Sequence, residues 1–122
     1  MPDILGLILI FIFYMKNILF VCSHNQWRSP TAEKVIGVYE GVTTRSVGTS
    51  SRAKKPIAKE DIKWADFICV MEIKHKQQIQ AKFTRLLQYK KIYVLGILDD
   101  YVYGDPQLVT LIENKLKCLR LI

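Results

Sequence analysis

Cys22 and Arg28 bracket five residues, Ser23-His24-Asn25-Gln26-Trp27, and Ser29-Pro30 follow at once. That spacing, between an apolar run and a helix start, can build a phosphate cradle with a nucleophile at its base. Successive backbone N–H groups in a tight loop form an anion-binding concavity. The following helix offers its N-terminal N–H groups and positive dipole end to the same ligand. Arg28 adds a bidentate grip on two phosphate oxygens. These positive groups favour the Cys22 thiolate, which can attack phosphorus and form a phosphocysteine. Ser23, His24, Asn25, Gln26, Trp27, Arg28 and Ser29 are the phosphate-binding residues expected on this reading. Ser29 can also donate a hydrogen bond to the sulfur, and Asn25 suits a left-handed bend.

Such a reaction needs a proton for the leaving oxygen. Asp99-Asp100 follows a strand-like segment and precedes Tyr101 and Tyr103. Asp100 is the first choice for the acid, with Asp99 and Asp105 as alternatives. The same carboxylate would then activate water for the second step. Taken singly, each piece has a plainer meaning. A cysteine at a strand end is usually a small apolar residue, and aspartates are common in turns and caps.

The elements that must position these groups are readable from periodicity. Ile18–Val21 reads as a buried parallel strand. Ser29 suits a helix cap with Pro30 at the first helical position, and the helix is expected to run from Pro30 to about Tyr39. Glu33 would stand in its first turn. Val42–Val47 reads as a second strand, 48–56 as a loop and Pro56–Trp64 as a short helix. Phe67–Met71 is a third strand. Ile73–Leu87 is a basic helix with Ile79, Phe83, Leu86 and Leu87 inward and His75 exposed. Lys91–Leu95 is a fourth strand. Pro106–Leu119 is an amphipathic helix on Leu108, Leu111, Ile112, Leu116 and Leu119. The expected fold class is therefore α/β, a three-layer sandwich with a four-stranded parallel sheet flanked by helices. Such sheets bind ligands beyond the carboxyl ends of their strands, where the Cys22–Ser29 loop falls.

The chain has 122 residues, half of them hydrophobic, enough for one domain with one core. A formal net charge of +7 favours anionic partners. Cys22, Cys69 and Cys118 are odd in number and widely spaced, so neither a disulfide framework nor a zinc site is expected. No metal or cofactor is called for, and a reducing, cytoplasmic setting fits best. Ile4–Tyr14 is almost continuously apolar but too short to span a bilayer. It also lacks a signal peptide's charged leading region and cleavage site. Met15-Lys16-Asn17 looks like a natural start. Residues 1–14 are therefore expected to be an extension that arises from the choice of start site, with 15–122 as the working domain. Membrane contact is expected only if that extension belongs to the protein in the cell.

At this point the chain resembles the low-molecular-weight protein tyrosine phosphatase family, and within it a short bacterial branch. Val21-Cys22-x-x-Asn25-x-x-Arg28-Ser29-Pro30 carries the likeness most strongly. Ser46-Val47-Gly48-Thr49 looks like the family's Ser-Ala-Gly-Thr segment, Trp64–Met71 like its third-strand region, and Asp99–Gly104 like a variant of its acid loop. The resemblance spans about 15–120. It implies Cys22 as nucleophile, Arg28 as phosphate ligand, Ser29 as thiolate partner, Asn25 as loop organiser and no metal. It also implies Asp100 in the acid position and Tyr103 on the pocket wall, with Tyr101 beside it. Three departures stand out. His24 replaces the family's loop glycine, Trp27 replaces its second loop cysteine, and Asp100-Tyr101 replaces its Asp-Pro pair, while Asp105-Pro106 comes later. A shallower pocket and a weakened phosphotyrosine preference follow.

Two other functions compete. An arsenate reductase would share the cradle but needs further cysteines to resolve its product, and Cys69 and Cys118 form no close pair on an evident loop. A non-catalytic module would hold a phosphorylated ligand without turnover. Lys54, Lys55, Lys59, Lys63, Lys74 and Lys76 would then contact a phosphoprotein or, less readily, nucleic acid, since no aromatic RNA-binding motif accompanies them. The expected partner is a phosphorylated protein or a small phosphoester.

Overall fold

The computed structural model describes residues 3–13 and 15–122, so the extension expected over 1–14 lies partly outside the described residues. Among the described residues, nine elements follow in chain order: α1 (Ile4–Phe13), β1 (Lys16–Cys22), α2 (Arg28–Ile36), β2 (Val42–Gly48), α3 (Lys59–Trp64), β3 (Phe67–Val70), α4 (Ile73–Lys82), β4 (Lys91–Val94) and α5 (Pro106–Cys118). The strands form one parallel sheet in the order β2-β1-β3-β4. β1 is central and its side chains alternate between two cores. Ile18, Phe20 and Cys22 join Ala32 and Ile36 of α2 and Leu108, Ile112 and Leu116 of α5. Leu19 and Val21 join Ile62 of α3, Ile79 of α4 and Leu87 on the opposite face. A fully buried side chain of this size contributes about 1.5–3 kcal/mol relative to exposure. β1 is therefore buried on both faces and gives a firm platform for the residues at its end.

This order has a functional consequence. The chain leaves β1 toward β2 on one side, and β3 then pairs on the other, so the strand order reverses at the end of β1. Ligand crevices in open parallel sheets sit at such reversals. The residue at this one is Cys22.

Several expected boundaries shift for identifiable reasons. α2 begins at Arg28, and its N-cap is Trp27, not Ser29. Ser29 is instead wholly buried, with its hydroxyl turned toward Cys22. Glu33 accordingly falls beyond the first turn of α2. Its carboxylate accepts from the Ser46 N–H at 3.1 Å and so ties α2 to β2. α3 starts only at Lys59, because Pro56 extends the sheet through a parallel bridge to Gly48. α4 stops at Lys82, with Phe83 and Leu86 still half-buried and Leu87 buried beyond it. His75, expected on the surface, is completely buried. α1 has Asp3 at its start, where the carboxylate accepts from the Leu5 N–H at 3.1 Å. Ile4, Leu5, Leu7 and Ile8 on it are exposed. No helix among the described residues is long and apolar enough to cross a membrane.

Candidate active site

The loop from Cys22 to Arg28 is braced from outside by the segment that follows β2. The Thr49, Ser50 and Lys54 N–H groups donate to the carbonyls of Cys22, Ser23 and His24 at 2.9, 2.9 and 3.1 Å. With these carbonyls held outward, the loop's amides turn the other way. The backbone N–H groups of Ser23, His24, Asn25, Gln26 and Trp27 donate to no acceptor among the described residues. This is the arrangement an oxyanion ligand requires. Gly48 allows the brace to approach. A Cβ there would lie 2.5 Å from the Ala53 Cβ, 2.6 Å from the Ser23 oxygen and 3.0 Å from the Asn25 nitrogen.

Asn25 has φ +52°, the left-handed bend expected of it. His24 is not among the positive-φ residues, so the loop closes without a glycine there and the His24 side chain is exposed. Beneath the loop runs a buried polar network. Asn25 Nδ2 donates to Ser29 Oγ at 3.0 Å and to Ser46 Oγ at 2.9 Å. Ser29 Oγ lies 3.0 Å from Cys22 Sγ and 3.3 Å from the Val47 carbonyl. Each fully buried side-chain nitrogen and oxygen atom among the described residues has a partner, so the network holds the loop without orphaning a side-chain group.

Arg28 is 2% exposed, and a buried guanidinium requires counter-charge. Its Nη1 donates to Glu72 Oε2 at 2.6 Å and to the Ile97 carbonyl at 2.8 Å. Its Nε stands 3.5 Å from Asp99 Oδ1. Nη2 has no partner among the described residues. The Arg28 guanidinium beside Glu72 holds that carboxyl below its ordinary value, against the opposing effect of desolvation. Glu72 thus anchors one edge of the guanidinium and leaves the other for a ligand.

These groups enclose a small cavity of about 30 Å³ lined by Cys22, Ser23, His24, Gln26, Trp27, Arg28 and Asp99. Of the three candidate acids, Asp99 is the one on this lining. It is carried there by the stretch after β4, pinned by the Leu95 and Ile97 N–H groups donating to the Val70 and Met71 carbonyls at 2.8 and 2.9 Å. Asp100 is exposed and off the lining. Asp105 is the N-cap of α5, where its side chain accepts from the Gln107 N–H at 2.9 Å. Tyr101 and Tyr103 do not line the cavity either. Tyr101 packs on the core and borders a groove along α5. Tyr103 faces a second groove with Trp27, Lys54 and Lys55. Thr31 links α2 to this segment by accepting from the Gly104 N–H at 3.0 Å.

Glu72 and His75 escaped sequence reasoning as site residues. A signal did exist for Glu72, which lies two residues past the end of β3 and so stands on the same rim as Cys22. His75 Nδ1 accepts from the Glu72 N–H at 3.1 Å, and Nε2 lies 2.8 Å from Ser23 Oγ. Burial and the neighbouring Arg28 and Lys74 push it down to about 4, against Glu72 and Asp99, so the ring is neutral. Cys69 is buried within β3, and burial pushes its thiol up to about 12. Cys118 is exposed at the end of α5. Neither lines the Cys22 cavity.

No protein-family model and no curated relative matches the chain. Solved structures do. The YwlE arginine phosphatase from Geobacillus stearothermophilus is 25% identical with a TM-score of 0.64, over 87% of this chain and 94% of that one. A low molecular weight protein tyrosine phosphatase from Bacillus subtilis is 25% identical with a TM-score of 0.62, over 85% and 99%. SP-PTP, a low molecular weight protein tyrosine phosphatase from Streptococcus pyogenes, has the same fold at 21% identity and a TM-score of 0.71, over 88% and 94%. In its parallel sheet and in the position of Cys22 at the head of the loop that follows β1, this chain resembles the low-molecular-weight protein tyrosine phosphatase family.

Proposed function

We propose that the chain is a cysteine-dependent phosphomonoester hydrolase, protein tyrosine phosphatase-like, working through a phosphocysteine intermediate. The observation that carries this reading is the coincidence at one point of Cys22 Sγ, the Ser29 hydroxyl 3.0 Å away, the unpaired loop amides and the inward edge of Arg28. The amides and Arg28 hold the three non-bridging oxygens of a phosphoryl group. The Cys22 thiolate attacks phosphorus, an S–P bond forms and the P–O bond to the leaving group breaks. Asp99, on the lining, delivers the proton to that leaving oxygen, in preference to Asp100 or Asp105. In the second step Asp99 takes a proton from water, water oxygen bonds phosphorus and the S–P bond breaks. Ser29 then stabilises the released thiolate.

The substrate class is a phosphorylated protein side chain or a small phosphoester. The neighbouring structures include a tyrosine and an arginine phosphatase, and neither Tyr101 nor Tyr103 walls the cavity to favour an aromatic ring. The setting is cytoplasmic, where Cys22 stays reduced. The domain that does this work is 15–122, with 1–14 an appended segment.

Hydrolysis of an aryl phosphate by wild type and Cys22→Ser, without metal, from mildly acid to neutral pH, tests the reading. Turnover that vanishes in Cys22→Ser supports it. Folded, reduced wild type that binds phosphate without turnover would replace it with a phosphate-binding module.

A further inference from the structure

The Ser23 side chain sits beside the nucleophile, half-buried on the lining of the cavity, and its hydroxyl has a defined direction. His75 sets that direction. It occupies the third position of α4, and its Nδ1 accepts the N–H of the N-cap residue Glu72 at 3.1 Å. In a neutral imidazole, one ring nitrogen accepts and the other carries the proton. With Nδ1 accepting, the proton lies on Nε2. The 2.8 Å contact to Ser23 Oγ is therefore a donation from His75 to the serine oxygen. Burial of the ring and the positive charge of Arg28 keep it in this neutral form.

Ser23 Oγ has one proton of its own. The His75 contact uses an oxygen lone pair and leaves that proton free, and no acceptor among the described residues takes it. Ser23 lines the cavity with Cys22, Arg28 and Asp99. We propose that the Ser23 hydroxyl is a side-chain ligand of the bound phosphoryl group, with His75 as the positioning residue that aims its proton. The proposal rests on the cradle being a phosphate site, as argued above, but not on turnover. The cradle then offers an O–H donor besides its amides and Arg28. His75 is buried to hold a rotor that would otherwise turn.

Inorganic phosphate is the probe, titrated into the full chain by calorimetry. The set is wild type, Ser23→Ala, Ser23→Thr, His75→Phe, His75→Gln and the Ser23→Ala/His75→Phe pair. A hydrogen bond to a charged ligand corresponds to about tenfold in affinity or more. Ser23→Ala and His75→Phe are each expected to weaken phosphate about tenfold. The double variant should be no weaker than either alone, because both remove the same donor. Ser23→Thr should restore binding to within about threefold. His75→Gln, whose amide can both accept and donate, should bind more tightly than His75→Phe.

Phosphate affinity unchanged in Ser23→Ala would overturn the proposal. Additive losses in the double variant would reduce His75 to a structural support and overturn the coupling. Ser23→Ala needs no refolding of the core, so it stays informative should His75→Phe fail to fold. Wild type that binds phosphate with these couplings but turns over no substrate would sink the hydrolase reading alone. Wild type that binds no phosphate would sink both.

Discussion

The Ser29 hydroxyl stands 3.0 Å from the Cys22 sulfur at a wholly buried position. Asn25 Nδ2 donates to the same oxygen at 3.0 Å, which leaves the hydroxyl proton free for the sulfur or for the Val47 carbonyl at 3.3 Å. Ser29 is thus a donor whose orientation is restricted from below and whose proton can follow the charge on sulfur. In the reaction proposed above, it matters most when the thiolate is the leaving group, at breakdown of the phosphocysteine.

Ser29→Ala should therefore slow the second chemical step more than the first. A lost hydrogen bond to a charged atom is worth about 1.5–3 kcal/mol, or roughly ten- to a hundredfold in rate. Rapid-mixing assays with an aryl phosphate should show a burst of released phenol followed by slow turnover. Equal slowing of both phases would contradict the assignment.

Asp99 and Asp100 are adjacent, yet Asp99 is the one on the cavity lining. Asp99→Asn is expected to lower kcat about 10²–10⁴-fold, the range for loss of a general acid. The loss should be greatest with poor leaving groups. Asp100→Asn should stay near wild type. Asp105→Ala should leave kcat in place and cost stability, about 0.5–2 kcal/mol for a helix cap. Comparing the three across substrates with graded leaving groups decides the assignment.

His75 and Glu72 make stability fall on the acid side. Burial and Arg28 push His75 down to about 4 from 6.5, so between those values the unfolded chain binds the more protons. Stability from this group is complete above about 6.5 and is lost as pH falls toward about 4. Glu72, held low first by its hydrogen bond to Arg28, acts in the same sense further down: present above the ordinary glutamate value and lost below. Urea unfolding across pH should show wild type weakening from pH 6.5 downward. His75→Gln should flatten that slope.

Gly48→Ala should damage the loop without touching a charged group. The added methyl would meet Ala53 at 2.5 Å and backbone atoms of Ser23 and Asn25 at 2.6 and 3.0 Å. Overpacking of this kind costs about 1–3 kcal/mol. Phosphate affinity should fall along with the thermal midpoint. Unchanged values for both would show that the brace has room to yield.

Much of this molecule is legible along the chain because the signals are local. The apolar run Ile18–Val21, the Cys22–Arg28 spacing with Ser29-Pro30, and the leucine and isoleucine period of α5 each follow from a few consecutive residues. They lead to a parallel α/β sheet with a cysteine-headed loop at its carboxyl edge. Asn25 belongs here too, since its bend is a property of its own backbone. The remainder depended on which segments meet. Glu72 beside Arg28, and His75 beneath Ser23, are 44 and 52 residues away from their partners. Neither contact has a period or a motif. His75 reads along the chain as one more polar residue on a basic helix, and only the packing of α4 against β3 and β4, beneath the loop that follows β1, buries it. Asp99 and Asp100 are both exposed, yet one step in the chain turns a carboxylate on to the cavity lining or off it. That turn is set by the Arg28 contact and by the hydrogen bonds that pin Leu95 and Ile97 to β3 and Met71. Short-range pattern specifies what each segment can become. The direction of a carboxylate or a hydroxyl at the site is a long-range property, fixed when separate strands are brought to one rim.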